Sequence, residues 1–194
     1  DITDTLELAG GVRWSKEKKS LDVFQNRGFG GGAITTAVER LSFTDTSPEV
    51  SLNWRPTPGM ALFASYREGF KSGGFNAGGG AAGPGIDLSY QPERVSGFEG
   101  GLKISRRDVR FNVTAYTYKY SDLQVTTYDS IAVRQVLTNA AAARVKGIEA
   151  DAAWSPASLP GLELRGAINY NSAKYLNFIA GCYAGQTIAE GCNL

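Results

Sequence analysis

Apolar and polar residues alternate over nearly ten positions in several stretches of the chain. Leu6, Leu8, Gly10, Val12 and Trp14 alternate with Glu7, Ala9, Gly11, Arg13 and Ser15. A period of two is that of a β-strand, whose successive side chains point to opposite faces. The same alternation sets Val50, Leu52 and Trp54 against Ser51 and Asn53, and Ile148, Ala150, Ala152 and Trp154 against Glu149 and Asp151. It also sets Leu162, Leu164, Gly166, Ile168 and Tyr170 against Glu163, Arg165 and Asn169. The apolar sets are interrupted by Gly and Ala, whereas a sandwich core is built from large aliphatic side chains. This favours a strand wall with one face toward lipid and the other toward water.

The pattern predicts about seven strands, near residues 4–16, 40–54, 60–70, 93–105, 109–120, 140–154 and 162–172. Pro, Gly and Asp make tight connections at 55–59, 105–108 and 155–161, while the other connections run to about twenty residues. Short turns at one end and long loops at the other is the layout of outer-membrane barrels, with the long loops outside the cell. A tilted strand rises roughly 2.4 Å per residue along the membrane normal, so about ten residues cross an apolar band of about 25 Å. Leu6 to Trp14 fits that span. Trp54 and Trp154 precede short turns, while Trp14, Tyr66, Tyr118, Tyr120 and Tyr170 fall toward the long-loop side, so two aromatic belts are expected. Around Phe111, Val113 and Ala115 the alternation passes into tyrosines of the opposite parity, which leaves open either a bulge or a rise above the membrane.

Bulk composition changes this picture little. The 194 residues suit one domain, and the formal charge of +1 provides no long-range field for nucleic acid. No run of about 18 apolar residues occurs, which excludes a transmembrane helix but not a barrel. The start and end of the sequence both read as internal to a longer chain.

The candidate chemistry is that of binding. The chain has no His, which removes His-based acid–base catalysis, Ser-His-Asp triads and most transition-metal sites, so neither an enzyme nor a metal or cofactor site is expected. Glu149 and Asp151 share a strand face, where Arg165 and Lys103 on neighbouring strands are expected to neutralise them. The glycine-rich stretches at 28–32 and 73–85 are not followed by a strand-to-helix unit and read as loops, not phosphate cradles. Cations and aromatics gather where the third strand enters a long loop. There Arg67, Phe70, Lys71, Phe75 and Asn76 form a candidate grip for an anionic or aromatic ligand, with an interfacial girdle facing lipopolysaccharide or solvent as the alternative.

Several blocks together resemble the TonB-dependent outer-membrane receptors. They are Ser47 to Pro58 with Leu62 to Asn76, then Tyr90-Gln91-Pro92-Glu93 with Gly97 to Lys103. Phe111 to Tyr116 with Tyr120 to Val125, and Thr138-Asn139-Ala140 with Arg144 to Glu149, follow in order. The resemblance covers most of positions 1 to 180. It implies an all-β, antiparallel transmembrane barrel of the 22-stranded type with a plugged lumen. It further implies uptake of a scarce small molecule, such as a ferric siderophore, cobalamin or a glycan, powered by the TonB complex acting through the plug. No plug or TonB-contacting box is recognisable here, so residues 1–194 are expected to form about a third of the barrel wall, set in a Gram-negative outer membrane. A small self-contained barrel or adhesin of eight strands, and a soluble β-rich binding or assembly protein, are the alternatives.

Cys182 and Cys192 flank a polar, glycine-containing stretch suited to a surface loop, and a disulfide between them is expected. In the loop-entropy description so short a closure contributes about 2–3 kcal/mol. Thiol titration of the denatured, unreduced protein should find neither cysteine free, and both free after reduction. Two reactive thiols before reduction would rule the bridge out.

Overall fold

The computed structural model describes residues 2–25, 35–76, 88–129, 134–178 and 185. Cys182, Cys192 and the glycine-rich segments 28–32 and 77–85 lie outside the described residues. The strands are β1 (Leu6–Gln25), β2 (Thr35–Thr57), β3 (Met60–Lys71), β4 (Gly74–Phe75), β5 (Ser89–Tyr90), β6 (Glu93–Ser105), β7 (Val109–Asp129), β8 (Arg134–Trp154) and β9 (Leu164–Phe178). Seven of them form one sheet in the order β1-β2-β3-β6-β7-β8-β9, a meander in which all neighbours are antiparallel. The two-residue strands β4 and β5 make a separate ribbon inside the β3–β6 connection.

The seven expected strands are present, but several are much longer than their sequence pattern. β1, β2, β7 and β8 run for 20, 23, 21 and 21 residues, twice what a membrane crossing needs. The excess lies on the side away from the short turns. The segments expected as twenty-residue loops between β1 and β2 and between β7 and β8 are therefore mostly strand.

Register lines the seven strands up in rows, each row alternating with the next in character. One row reads Leu8, Leu52, Ala64, Gly100, Ala115, Ile148, Tyr170, and the row two residues nearer the short turns reads Leu6, Trp54, Leu62, Leu102, Val113, Ala150, Ile168. Between them, on the opposite face, lie Glu7, Asn53, Phe63, Gly101, Thr114, Glu149 and Asn169. The apolar face is bare: Val12 is 71% exposed, Ile168 68% and Leu8 52%, and no described side chain is fully buried. A soluble sandwich would have a second sheet over that face. Among the described residues there is none, in keeping with a wall and not a sandwich. Among the described residues β1 and β9 are the sheet's two edges and do not pair.

The short turns follow their chemistry. Gly59 adopts φ +77°, and a Cβ there would stand 2.1 Å from the Ser105 carbonyl oxygen. The Ser105 amide donates to the Gly59 carbonyl at 2.7 Å, so only glycine fits where two neighbouring turns touch. In the β8–β9 turn the Leu159 amide donates to the Pro156 carbonyl at 3.0 Å, and Gly161 closes the reversal at φ +89°.

Two irregularities shape the far end. Pairing of β2 with β3 stops at Glu49–Arg67, where β2 reaches Pro48, a residue with no N–H to donate. In β7 a bulge follows Tyr120, with Asp122 at φ +54°. No bulge interrupts β7 between Val109 and Tyr120. The change of pattern after Ala115 is therefore not a slip of register: Tyr116, Tyr118 and Tyr120 belong to the polar face.

If the apolar face meets hydrocarbon, Ile148→Arg, near the middle of the band, should destabilise the barrel by about 2–4 kcal/mol. Reversible urea unfolding in lipid vesicles would measure this for the parent protein. A loss within experimental error would contradict the orientation.

Candidate functional site

The polar face carries a network of cross-strand hydrogen bonds. Tyr118 Oη donates to Glu99 Oε2 at 2.9 Å, Asn112 Nδ2 to Asp151 Oδ2 at 2.9 Å, Asn169 Nδ2 to Glu149 Oε1 at 2.9 Å and Asn171 Nδ2 to Tyr116 Oη at 2.8 Å. Glu149 and Asp151 share this face as expected, but asparagines, not Arg165 and Lys103, engage them. Register explains it: Asn112 stands between Lys103 and Asp151 in their row, and the partners beside Arg165 and Lys103 on the other side are alanines, Ala153 and Ala61. Lys103 instead places its ammonium 5.2 Å from the Phe63 ring centroid, and Arg165 pairs with Glu163 on its own strand at 2.7 Å.

Three aromatic rings on this face lie directly across from glycines. Phe63 faces Gly101, Tyr118 faces Gly97, and Tyr116 faces Gly147. A Cβ at Gly97 would come within 2.1 Å of the Tyr118 ring, at Gly101 within 2.7 Å of Phe63, and at Gly147 within 2.6 Å of the Tyr116 hydroxyl. Missing side chains thus let the rings lie flat along the wall, covering backbone that glycine leaves bare. This corrects the expected aromatic belt. Trp14, Tyr66 and Tyr170 belong to the apolar-face parity, whereas Tyr118 and Tyr120 have the opposite parity; Gly97 across the ladder accommodates the Tyr118 ring, and Tyr120 stands between Val95 and Ala143.

The candidate ligand residues fall into two groups. Arg67 is exposed on the polar face, opposite Glu49 and Gly97, and among the described residues no carboxylate lies within ion-pair distance of it. Lys71, on the same face four residues along β3, is exposed opposite Glu93. Phe70 is half-buried beside Arg94, Phe75 lies half-buried in the ribbon, and Asn76 follows it. The Asn76 amide is fully engaged: Nδ2 donates to the Leu137 carbonyl at 2.8 Å, and Oδ1 accepts from the Leu137 amide at 2.7 Å.

Sequence reasoning missed the clamps that hold the ribbon. Lys19 Nζ donates to Ser72 Oγ at 2.5 Å and to the Gly73 carbonyl at 2.6 Å, while Ser72 Oγ donates to Glu17. Gln124 Nε2 donates to the carbonyls of Ser72 and Gln91, both at 3.0 Å, and Asn139 exchanges two hydrogen bonds with the Gln91 backbone at 2.7 and 2.8 Å. Ser72 to Asn76 and Leu88 to Gln91 are thereby pinned between the far ends of β1 and of β7–β8. Lys19 lies beyond the alternating part of β1, so no local pattern marked it. Deeper in, Asp45 is 5% exposed and receives Arg94 Nη1 at 2.8 Å and Ser47 Oγ at 2.7 Å.

A meander of long antiparallel strands, apolar on one face and hydrogen-bonded on the other, defines the wall of a transmembrane β-barrel. The chain matches the family model described as TonB dependent receptor-like, beta-barrel, over residues 1–190, and it belongs to that family. Solved structures agree in fold. The ferric yersiniabactin uptake receptor FyuA from Yersinia pestis superposes with a TM-score of 0.72 at 20% identity, over 92% of this chain and 26% of that one. The siderophore receptor PiuA from Acinetobacter baumannii gives 0.64 at 17% identity, over 96% and 26%. The ferric-catecholate import receptor Fiu from Escherichia coli K12 gives 0.62 at 16%, over 95% and 28%. The chain therefore spans about a quarter of the length of these structures. The family and these neighbours are Gram-negative outer-membrane proteins.

Because the Tyr118 ring occupies the space over Gly97, Gly97→Val should destabilise the barrel by about 1–3 kcal/mol. Gly166, which has nothing within 4 Å of its Cβ position, should accept Ala with little change. Urea midpoints of the two variants measured side by side would check the contrast, and equal midpoints would refute it.

Proposed function

We propose that the chain is part of an outer-membrane active transporter that takes up a scarce small molecule, with a ferric siderophore as the first candidate. The observation that carries this is the two-faced wall: an apolar face fit for lipid backed by a hydrogen-bonded polar face fit for a hydrated lumen. Such a wall encloses a passage. The names of the neighbours, an uptake receptor for ferric yersiniabactin and a siderophore receptor, favour an iron–siderophore cargo over cobalamin or a glycan.

Residues 1–194 then form part of a larger barrel of the 22-stranded type. The plug and the TonB-contacting segment lie elsewhere in the parent protein, and the TonB complex supplies energy through them. The long-strand end faces outward, and the short turns face the periplasm. Arg67 and Lys71 give the ligand its positive contacts, and Phe70 and Phe75 its aromatic ones. Asn76 holds the ribbon that carries Phe75.

In the parent protein, Arg67→Ala with Lys71→Ala should weaken binding of an anionic ferric siderophore on the order of tenfold to a hundredfold, as expected for loss of charge-assisted hydrogen bonds. Uptake of labelled iron–siderophore should also stop when TonB is depleted. Uptake that continues at full rate without TonB would overturn the transport mechanism. Unchanged affinity in the double variant would remove these two residues from the site.

A further inference from the structure

The apolar face ends in a row of cations that the ligand site does not use. Lys119, Arg144 and Lys174 stand directly opposite one another on β7, β8 and β9, and Lys146 lies in the next same-face row, opposite Thr117 and Ser172. All four cations are exposed, and among the described residues none has a carboxylate within ion-pair distance. The same-face positions around them, Ala115, Thr117 and Ser121 on β7, Ala142 and Ile148 on β8, and Tyr170 and Ser172 on β9, bear no acid. The carboxylates closest along this edge are Glu68, which accepts the Tyr66 hydroxyl, and Asp45, which is paired with Arg94. Neighbouring strands are about 4.8 Å apart, so like charges directly opposite destabilise the sheet unless a counter-ion joins them.

Height locates the row. Lys119, Arg144 and Lys174 each lie ten residues from the row Val109, Trp154 and Leu164 at the short turns. At roughly 2.4 Å per residue they stand about 24 Å above it, at the upper border of an apolar band about 25 Å tall. Below the row of Thr117, Lys146 and Ser172 come Ala115, Ile148, Tyr170 and Ile168, a surface for acyl chains. Three cations at the height of a headgroup, above an apolar surface and, among the described residues, with no carboxylate in ion-pair distance, match a lipid whose headgroup carries phosphate.

We propose that Lys119, Arg144 and Lys174, with Lys146 beneath them, bind the phosphate groups of a phosphorylated glycolipid in the outer leaflet, its acyl chains lying on the apolar face of β7–β9. The site rests on the membrane orientation proposed above. Its role is to supply the missing counter-charge and to seal lipid against the wall at this edge.

The test uses the full-length parent protein in nonionic detergent, titrated with bis-phosphorylated lipid A and followed by native mass spectrometry. Wild type should hold the lipid, and Lys119→Gln, Arg144→Gln, Lys174→Gln combined should weaken binding on the order of a hundredfold. Charge-preserving Lys119→Arg with Lys174→Arg should retain it, as should Arg106→Gln with Arg107→Gln at the short turns. Dephosphorylated lipid A should bind the wild type no better than it binds the triple variant, and inorganic phosphate should compete only weakly. Equal affinity of wild type and triple variant for lipid A would overturn the site, as would full competition by inorganic phosphate, which would mark a free-anion site. Membrane retention under alkaline carbonate extraction separates the two proposals. If the protein stays in the membrane while the triple variant binds normally, the phosphate site alone fails; if it washes out, the membrane orientation fails and the site with it.

Discussion

The backbone must hydrogen-bond to itself wherever hydrocarbon surrounds it, because a bare N–H or C=O in lipid costs several kcal/mol. The placement of the sheet's irregularities follows this constraint. Register shifts occur between Trp54 and Thr57, between Tyr120 and Gln124, and between Ala142 and Ala143. The first lies at the short-turn border, and the others lie just past the row of Lys119, Arg144 and Lys174. Between these borders the ladders run without interruption. Bulges expose backbone groups, and here they sit only where water or neighbouring side chains can satisfy them. The Asp122 carbonyl, freed at the β7 bulge, accepts from Asn139 Nδ2 at 2.7 Å.

The same constraint explains how much of the fold was legible in the sequence. Inside the apolar band lipid enforces alternation, so Leu8, Leu52, Ile148 and Ile168 marked their strands and faces correctly. Beyond the band both faces meet water, and a segment such as Lys16 to Ser20 has no reason to alternate. Strand ends therefore fell short by nine residues at β1 and at β7. The facing of Tyr116 and Tyr118 was illegible for another reason. It depends on Gly97 and Gly147 across the ladder, a property of pairs of strands that no single-strand pattern contains. The candidate site divides likewise: Arg67 and Lys71 could be found as cations on one strand face, whereas the role of Asn76 depends on Leu137, a residue distant in sequence.

The polar face combines fixed and open positions. Tyr118, Glu99, Asn112 and Asp151 are committed to one another, and the rings over Gly97, Gly101 and Gly147 stiffen the wall beneath. Among the described residues neither Arg67 nor Lys71 has a carboxylate within ion-pair distance. The ribbon between β3 and β6 is held differently, by side-chain amides and one lysine gripping its backbone, with Phe43 buried against Gly73 and Leu88 buried beside Ser89.

Separation of duties between the two faces also accounts for structural likeness without sequence likeness. The wall superposes on FyuA with a TM-score of 0.72 at 20% identity and on PiuA with 0.64 at 17%. The lipid side requires only that a residue be apolar, so Val, Leu, Ile, Ala or Gly all serve, and the lumen side can change without touching the membrane. What cannot drift is register, since a one-residue slip exchanges every side chain between lipid and water. Glycine 59 at its turn and the ring-bearing glycines fix that register through contacts no larger residue can make. The fold is thus held by pairing and close approach, which leaves most side chains on both faces free to differ.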